Sequence, residues 1–160
     1  MKGRSEVPSG RGETWVILQL LLLGALILAP MLAPEQWAAP LGVIAPWLGL
    51  VIGALGLLMV GLAAIYLGRN LTIFPKPKAD GFMSDRGIYR FVRHPMYCGV
   101  ILSAFGWSLW QTNLVALLIS ALLVIFFDRK AAQEERWLQA QYPEYADYRR
   151  RVKKLIPFIY

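Results

Sequence analysis

The sequence predicts an all-α integral membrane helical bundle. It has about four transmembrane helices, an ordered cytosolic loop and a C-terminal amphipathic helix. Three observations predict this class. Hydrophobic residues make up 57% of the 160-residue chain, above the roughly 45–50% usual for soluble domains. They come in long blocks instead of at helical spacing, and no block contains a charged residue. The 17 Lys and Arg residues fall in only three places. Lys2, Arg4 and Arg11 precede the first block, six more lie between Arg69 and Arg93, and eight lie between Arg129 and Lys154. The connections near 33–40 and 111–113 hold none. Four crossings put every basic residue on one side, which the positive-inside rule makes cytoplasmic. The expected location is the cell membrane, multi-pass, with both termini cytoplasmic.

The elements follow in order. Residues 1–14 are polar and read as a loose terminus. Trp15 to about Leu32 is the first span. Ala29 and Ala33 with upstream charges also suit a signal peptide, but the run is long for one and more spans follow. Pro34–Pro40 is a turn. Pro46 suits the first turn of a second helix reaching about Leu67. Gly49, Gly53 and Gly61 form an i+4 stripe along it, which lets a neighbouring helix approach closely. Residues 68–96 are a long loop broken by Pro75, Pro77 and Asp80-Gly81. Its aromatics Phe74, Phe82, Tyr89 and Phe91 favour an ordered segment at the interface. Pro95 starts a third helix ending near Trp110, and Asn113 N-caps a fourth from Leu114. These last two apolar blocks are shorter than the ~20 residues of a full span. They are expected to extend at the basic end, to tilt, or to form a hairpin that crosses only in part. The fourth helix continues past Asp128 to Tyr142 as an amphipathic helix, with Asp128, Ala131, Glu135, Leu138 and Tyr142 on one stripe. Pro143 breaks it and opens a short helix carrying Tyr145, Tyr148 and Val152. Ile156-Pro157 ends regular structure. Residues 1–160 read as one domain, with N-terminal spans over 1–67 and the chemistry-bearing part over 68–160.

Charge-free spans exclude a proton relay or ion pathway of the usual kind, which needs ionisable groups at depth. One cysteine, Cys98, excludes an internal disulfide framework and cannot alone hold a metal; no metal site is expected. The net charge of +7 is explained by topology, so no nucleic-acid partner is expected. The basic run 149–154 is read first as a topology signal, and more sharply as a holder of anionic lipid headgroups. Phosphate-binding and nucleophile-elbow motifs are absent, and no Gly-x-Gly-x-x-Gly follows a strand.

Polar chemistry concentrates in Gly87–Gly99, which holds the single His94 and Cys98, and in the tail. Those two regions flank the hairpin 95–127, whose return brings them together. The constellation is Tyr89, Arg90, Arg93, His94 and Tyr97 from the loop, with Glu134, Glu135, Tyr145, Tyr148 and Arg151 from the tail. Each member has a plainer reading too. His94 suits a helix N-terminal residue facing water. Tyr89 and Tyr97 suit interface anchors. Glu134 and Glu135 suit pairing with Lys130 or Arg136 on a solvated face. Cys98 reads as a small packing residue.

Gly87–Gly99 resembles the Arg-His-Pro-x-Tyr-x-Gly motif of the isoprenylcysteine carboxyl methyltransferase family, relatives of the phospholipid methyltransferases. Glu134-Glu135-Arg136-Trp137-Leu138 resembles that family's Glu-Glu-x-x-Leu element. Tyr145, Tyr148, Arg151 and Ile156-Pro157 resemble its ending. Asn70-Leu71-Thr72 and Pro75-Lys76-Pro77 are similar to the bacterial branch. The resemblance covers roughly 68–157 and implies a multi-pass enzyme moving a methyl group from S-adenosylmethionine to a lipophilic acceptor, either the carboxylate of a prenylcysteine-like compound or a lipid, in contact with membrane lipids. It implies catalytic roles for His94, Arg93 and Glu135. It implies cofactor contacts from Tyr89, Arg93, His94, Pro95, Tyr97, Gly99, Glu134, Glu135, Leu138 and Tyr148. The chemistry fits: a sulfonium suits the faces of Tyr89 or Tyr97, a cofactor carboxylate suits Arg93, and its ammonium and ribose suit Glu134 or Glu135. A carboxylate acceptor is ionised near neutral pH and needs no base, whereas an amine acceptor would need His94 as base. Two other classes stay open: an NADPH-dependent membrane reductase of the sterol type, and a non-catalytic membrane protein keeping the fold.

Overall fold

The computed structural model describes residues 12–156 and 159–160. The expectations for Lys2, Arg4, Arg11 and Pro157 lie outside them. Five α-helices follow one another: α1 (Glu13–Leu32), α2 (Leu41–Leu67), α3 (Pro95–Trp110), α4 (Leu114–Gln141) and α5 (Tyr145–Arg151). Short 3-10 turns sit at Gly68–Asn70 and Gly87–Arg90. Among the described residues there is no strand, only a parallel bridge between Val92 and Lys153.

Helices α1 and α2 are long and apolar enough to cross a membrane by length and composition. Their outer faces carry exposed Leu21, Met31, Trp47, Leu57 and Ile65. A contiguous apolar surface of that kind is stable against lipid and not against water. Helix α3, with 16 residues, is shorter than a full span. Helix α4 has 28 residues, roughly 42 Å at ~1.5 Å per residue, of which the part up to Phe127 is free of charge. Exposed Leu118, Leu122 and Ile125 mark its outer face.

Pro95 occupies the first turn of α3, where a missing N–H costs nothing. Asn113 caps α4, accepting from the Ala116 N–H at 2.8 Å. Its amide also donates to the Ala33 carbonyl at 2.6 Å, and Leu114 N–H donates to Glu35 at 2.8 Å. One buried asparagine thus ties the ends of α1 and α4 together. Ser108 and Ser120 join α3 to α4 at 2.9 Å.

Helix α2 begins at Leu41, so Pro46 lies inside it and not in its first turn. The helix starts earlier because the Gly42, Val43 and Ile44 N–H groups already bond to Ala38 and Pro40 carbonyls. The glycine stripe is also corrected. A Cβ on Gly49, Gly56, Gly99 or Gly106 would strike backbone of the facing helix, whereas one on Gly61 would meet nothing within 4 Å. At ~100° per residue, Gly56 returns to within about 20° of Gly49, while Gly61 is about 120° round the helix. The contact is therefore Gly49, Gly53 and Gly56 of α2 against Gly99 and Gly106 of α3.

The 68–86 loop is ordered, as its aromatics suggest. Asn70 grips Phe82 through both main-chain groups, donating to its carbonyl and accepting its N–H. Gln141 of α4 donates to the Lys78 carbonyl at 2.8 Å. Tyr89 is buried, while Phe82 and Phe91 are exposed.

Candidate functional site

Where α3 begins, the tail runs beside the motif. Arg93 N–H donates to the Lys153 carbonyl at 2.8 Å and His94 N–H to the Lys154 carbonyl at 3.1 Å. Those two donors belong to the start of α3 and have no partner within it. The Arg93 side chain reinforces the junction. Its Nε donates to Glu135 Oε1 at 2.7 Å, and its Nη1 donates to the carbonyls of Arg149 and Val152.

His94 is 6% exposed, which removes the water-facing reading. Its Nε2 lies 3.2 Å from Glu135 Oε1 and its Nδ1 lies 3.7 Å from Glu134 Oε2. The ring stacks on Tyr97 at 5.4 Å and 3°. Tyr97 in turn donates its hydroxyl to Glu134 at 2.7 Å. Glu135 is buried and gathers Arg93, His94 and, at 3.4 Å, Arg149. The pairing of Glu134 and Glu135 with Lys130 or Arg136 on a solvated face is therefore not what forms. Burial alone would raise the Glu135 carboxyl, but the hydrogen bonds from His94 and Arg93 and their charges override it and hold it at about 2.

Two cavities lie on either side of this junction. The larger, about 680 Å³, is lined by the polar or ionisable His94, Tyr97, Lys130, Glu134, Tyr145 and Tyr148 and by the apolar Val16, Leu20, Val60, Leu67 and Phe127. The 68–84 loop roofs it. Helix α4 faces it with Phe127, Lys130, Glu134 and Leu138, and Tyr142 just past its end does too. Glu135 faces the smaller cavity with Ala132, Arg136 and Gln139. The stripe expected to join Asp128, Ala131, Glu135, Leu138 and Tyr142 on one face is thus split. Adjacent residues sit about 100° apart, so Glu134 and Glu135 point into different spaces.

The expected residues divide accordingly. Tyr89, Arg93, His94, Tyr97, Glu134, Leu138 and Tyr148 line the larger cavity. Pro95 and Gly99 do not; Pro95 starts α3 and Gly99 lies against the Gly56 carbonyl. Arg90 and Arg151 are exposed and line neither cavity. Tyr148 donates to the Tyr89 carbonyl at 2.6 Å, which locks the tail helix onto the motif. Burial first, and for Tyr145 the nearby Glu135 next, push the Tyr145 and Tyr148 phenols well up, so both stay neutral donors. The half-buried Cys98 thiol donates to the Leu155 carbonyl.

Two further groups line the cavity: Tyr145, a member of the expected constellation outside the implied cofactor contacts, and Lys130, expected only as a surface partner for Glu134 or Glu135. Lys130 is 3% exposed, with Nζ 2.5 Å from Gln19 Oε1 and over the Tyr97 ring at 5.2 Å. Among the described residues no carboxylate lies within ion-pair distance of it. The Tyr145 hydroxyl is buried with no hydrogen-bond partner. Buried polar groups are ordinarily paired; the Tyr145 hydroxyl is not, and Lys130 is held by a neutral oxygen and a ring face without a countercharge. The sequence signal for Lys130 was its register, four residues before Glu134 on the cavity face.

These features define a helical membrane protein whose larger cavity combines ionisable and apolar side chains beside the motif. The phospholipid methyltransferase family matches residues 44–145, and the chain belongs to that family. It is 33% identical over 115 residues to the protein-S-isoprenylcysteine O-methyltransferase of Schizosaccharomyces pombe, covering 66% of this chain and 49% of that protein. It is 29% identical over 149 residues to protein-S-isoprenylcysteine O-methyltransferase A of Arabidopsis thaliana, covering 90% of this chain and 72% of that one. The solved structure of the eukaryotic intramembrane Ras methyltransferase ICMT (isoprenylcysteine carboxyl methyltransferase) superposes with a TM-score of 0.67 at 22% identity, over 94% of this chain and 54% of that one. The chain thus spans about half the length of several relatives it matches, and the likeness to the solved structure is one of fold.

Proposed function

We propose that the protein transfers a methyl group from S-adenosylmethionine to the carboxylate of a prenylcysteine-like or other lipophilic acceptor at the cytoplasmic membrane interface. The observation that carries the reading is the larger cavity, whose lining joins carboxylate, imidazole, phenol and ammonium groups with apolar side chains from α1, α2 and α4. Such a space suits a polar cofactor meeting a lipid-tailed molecule.

The residues fit the cofactor. The unpartnered Tyr145 hydroxyl and the Glu134 carboxylate offer a donor and an acceptor toward its amino-acid and ribose groups. The Tyr97 and Tyr89 rings offer faces for a cation. When bound, S-adenosylmethionine supplies a methyl carbon already activated by its sulfonium. Glu135 and Arg93 hold His94 in place from behind. His94 and Tyr97 then fix the Glu134 carboxylate. Arg93 spends its observed donors on Glu135 and the tail, so its proposed part is to position, not to ligate.

Lys130 supports an anionic acceptor. A buried ammonium is costly without a charged partner, and an acceptor carboxylate beside it would be desolvated, oriented and held in its ionised form. Burial lowers the Lys130 pKa, and Glu134 offsets only part of that shift. In-line displacement gains most from positioning, and no base is required of His94 for a carboxylate.

The test is calorimetric binding of S-adenosylhomocysteine and of NADPH to the detergent-purified protein, followed by methyl transfer to a farnesylcysteine analogue. Saturable binding of the first, lost in His94→Ala, with transfer impaired in Lys130→Met, is expected. Binding of NADPH alone refutes the proposal in favour of a reductase. Binding of neither by the folded protein leaves a non-catalytic role.

A further inference from the structure

Behind the Glu135 junction lies the smaller cavity, an open groove of about 460 Å³. Six cations line it: Arg93, Arg136, Arg149, Arg150, Lys153 and Lys154. Three carboxylates offset part of this charge. Glu135 takes Arg93, Asp147 takes Arg150, and Asp128 takes Lys154 at 2.5 Å. Arg136 and Lys153 have no ion-pair partner among the described residues. Arg149 has only the second oxygen of the already shared Glu135. The groove therefore keeps an excess of positive charge that no ion pair among the described residues neutralises.

Its rim is apolar. Ile159 and Tyr160 line it and are 74% and 53% exposed, and Ile156 beside them is 50% exposed. Asp128, which holds both Lys154 and the Tyr160 hydroxyl, lies one turn beyond the lipid-type residue Ile125, 59% exposed on α4. Charge excess, an apolar lip and this closeness to the end of the apolar helix occur together. A soluble polyanion would use the charge and leave the lip in water.

We propose that this groove binds the headgroup of an anionic phospholipid from the leaflet that borders the tail, its phosphate among Arg136, Arg149 and Lys153 and its upper acyl region against Ile156, Ile159 and Tyr160. The inference does not depend on the methyl-transfer reading, because it concerns the opposite side of Glu135. Juxtamembrane cations attract anionic lipid at roughly 1 kcal/mol each, about fivefold in affinity per charge.

The test uses the full chain in detergent, titrated with phosphatidylglycerol, phosphatidylcholine and inorganic phosphate, with retained adducts counted by native mass spectrometry. The wild type should retain phosphatidylglycerol preferentially. The double variant Arg136→Gln, Lys153→Gln should lose that preference by about tenfold or more. Its helicity by circular dichroism should match the wild type, and if it does not, the single variants Arg136→Gln and Lys153→Gln are each expected to lower retention about fivefold. Equal retention of the two lipids by the wild type, or unchanged preference in folded variants, overturns the proposal. Displacement of phosphatidylglycerol by inorganic phosphate at equal concentration assigns the groove to a free anion and overturns the lipid occupant.

Discussion

Replacing Glu135 with Gln is the sharpest probe of the junction. The carboxyl sits at about 2 against an ordinary 4.5, which at ~1.4 kcal/mol per pH unit favours the charged form by roughly 3 kcal/mol. Removing one partner of a buried pair typically costs about 3–5 kcal/mol, and the Arg93 side chain is only 8% exposed. A glutamine oxygen still accepts from Arg93 and His94, which trims the expected loss to about 2–3 kcal/mol. For a chain of this size that lowers Tm by roughly 5–10 °C. The pH dependence has a fixed sign. The folded pKa lies below the unfolded one, so the stabilisation is full above about 4.5 and fades as pH falls toward 2. Thermal unfolding in detergent, followed by far-ultraviolet circular dichroism, should show the Tm gap between wild type and Glu135→Gln wide at neutral pH and narrowing in that acidic window. A gap under about 1 °C at neutral pH, or one that stays constant through the window, would refute the account of Glu135 as the charge that holds motif and tail together.

Other expectations concern packing and the cavity. Gly56→Val should destabilise by about 2–3 kcal/mol through overpacking against α3, while Gly61→Ala should be neutral or slightly stabilising, both read from Tm. Tyr145→Phe should leave Tm unchanged, because its hydroxyl has no partner, yet weaken S-adenosylhomocysteine binding several-fold by calorimetry. Tyr148→Phe should do the reverse, costing about 1–2 kcal/mol by stranding the Tyr89 carbonyl. Lys130→Met should keep or raise Tm, since a buried charge is removed, and should raise KM for a carboxylate acceptor more than the affinity for cofactor falls.

Much of this was legible in the chain. Pro95 and Asn113 marked their helix starts because each has one favoured place at a helix N-terminus. The meeting of His94 with Glu135 followed from two motifs flanking a hairpin. What was hidden were matters of phase and long range. Counting glycines by fours drifts off a 3.6-residue helix, so a stripe of that spacing includes Gly61 and misses Gly56. Glu134 and Glu135 are chemically alike and adjacent, so only packing shows which faces which cavity. Lys130 meets Gln19 across 111 positions, a contact no local pattern announces.

The bond from Arg93 to the Val152 carbonyl joins residues 59 positions apart, and this has a consequence for biogenesis. Translation delivers α1 to α4 first, and their apolar parts can enter the bilayer while the motif is still without its tail carbonyls and His94 is without the Lys154 backbone beside it. The junction beside the cavity is completed only when residues 149–155 emerge and fold back. The apolar helices can therefore be in place before motif and tail are joined, and docking of residues 149–155 onto Arg93 and His94 is a late step in forming the site.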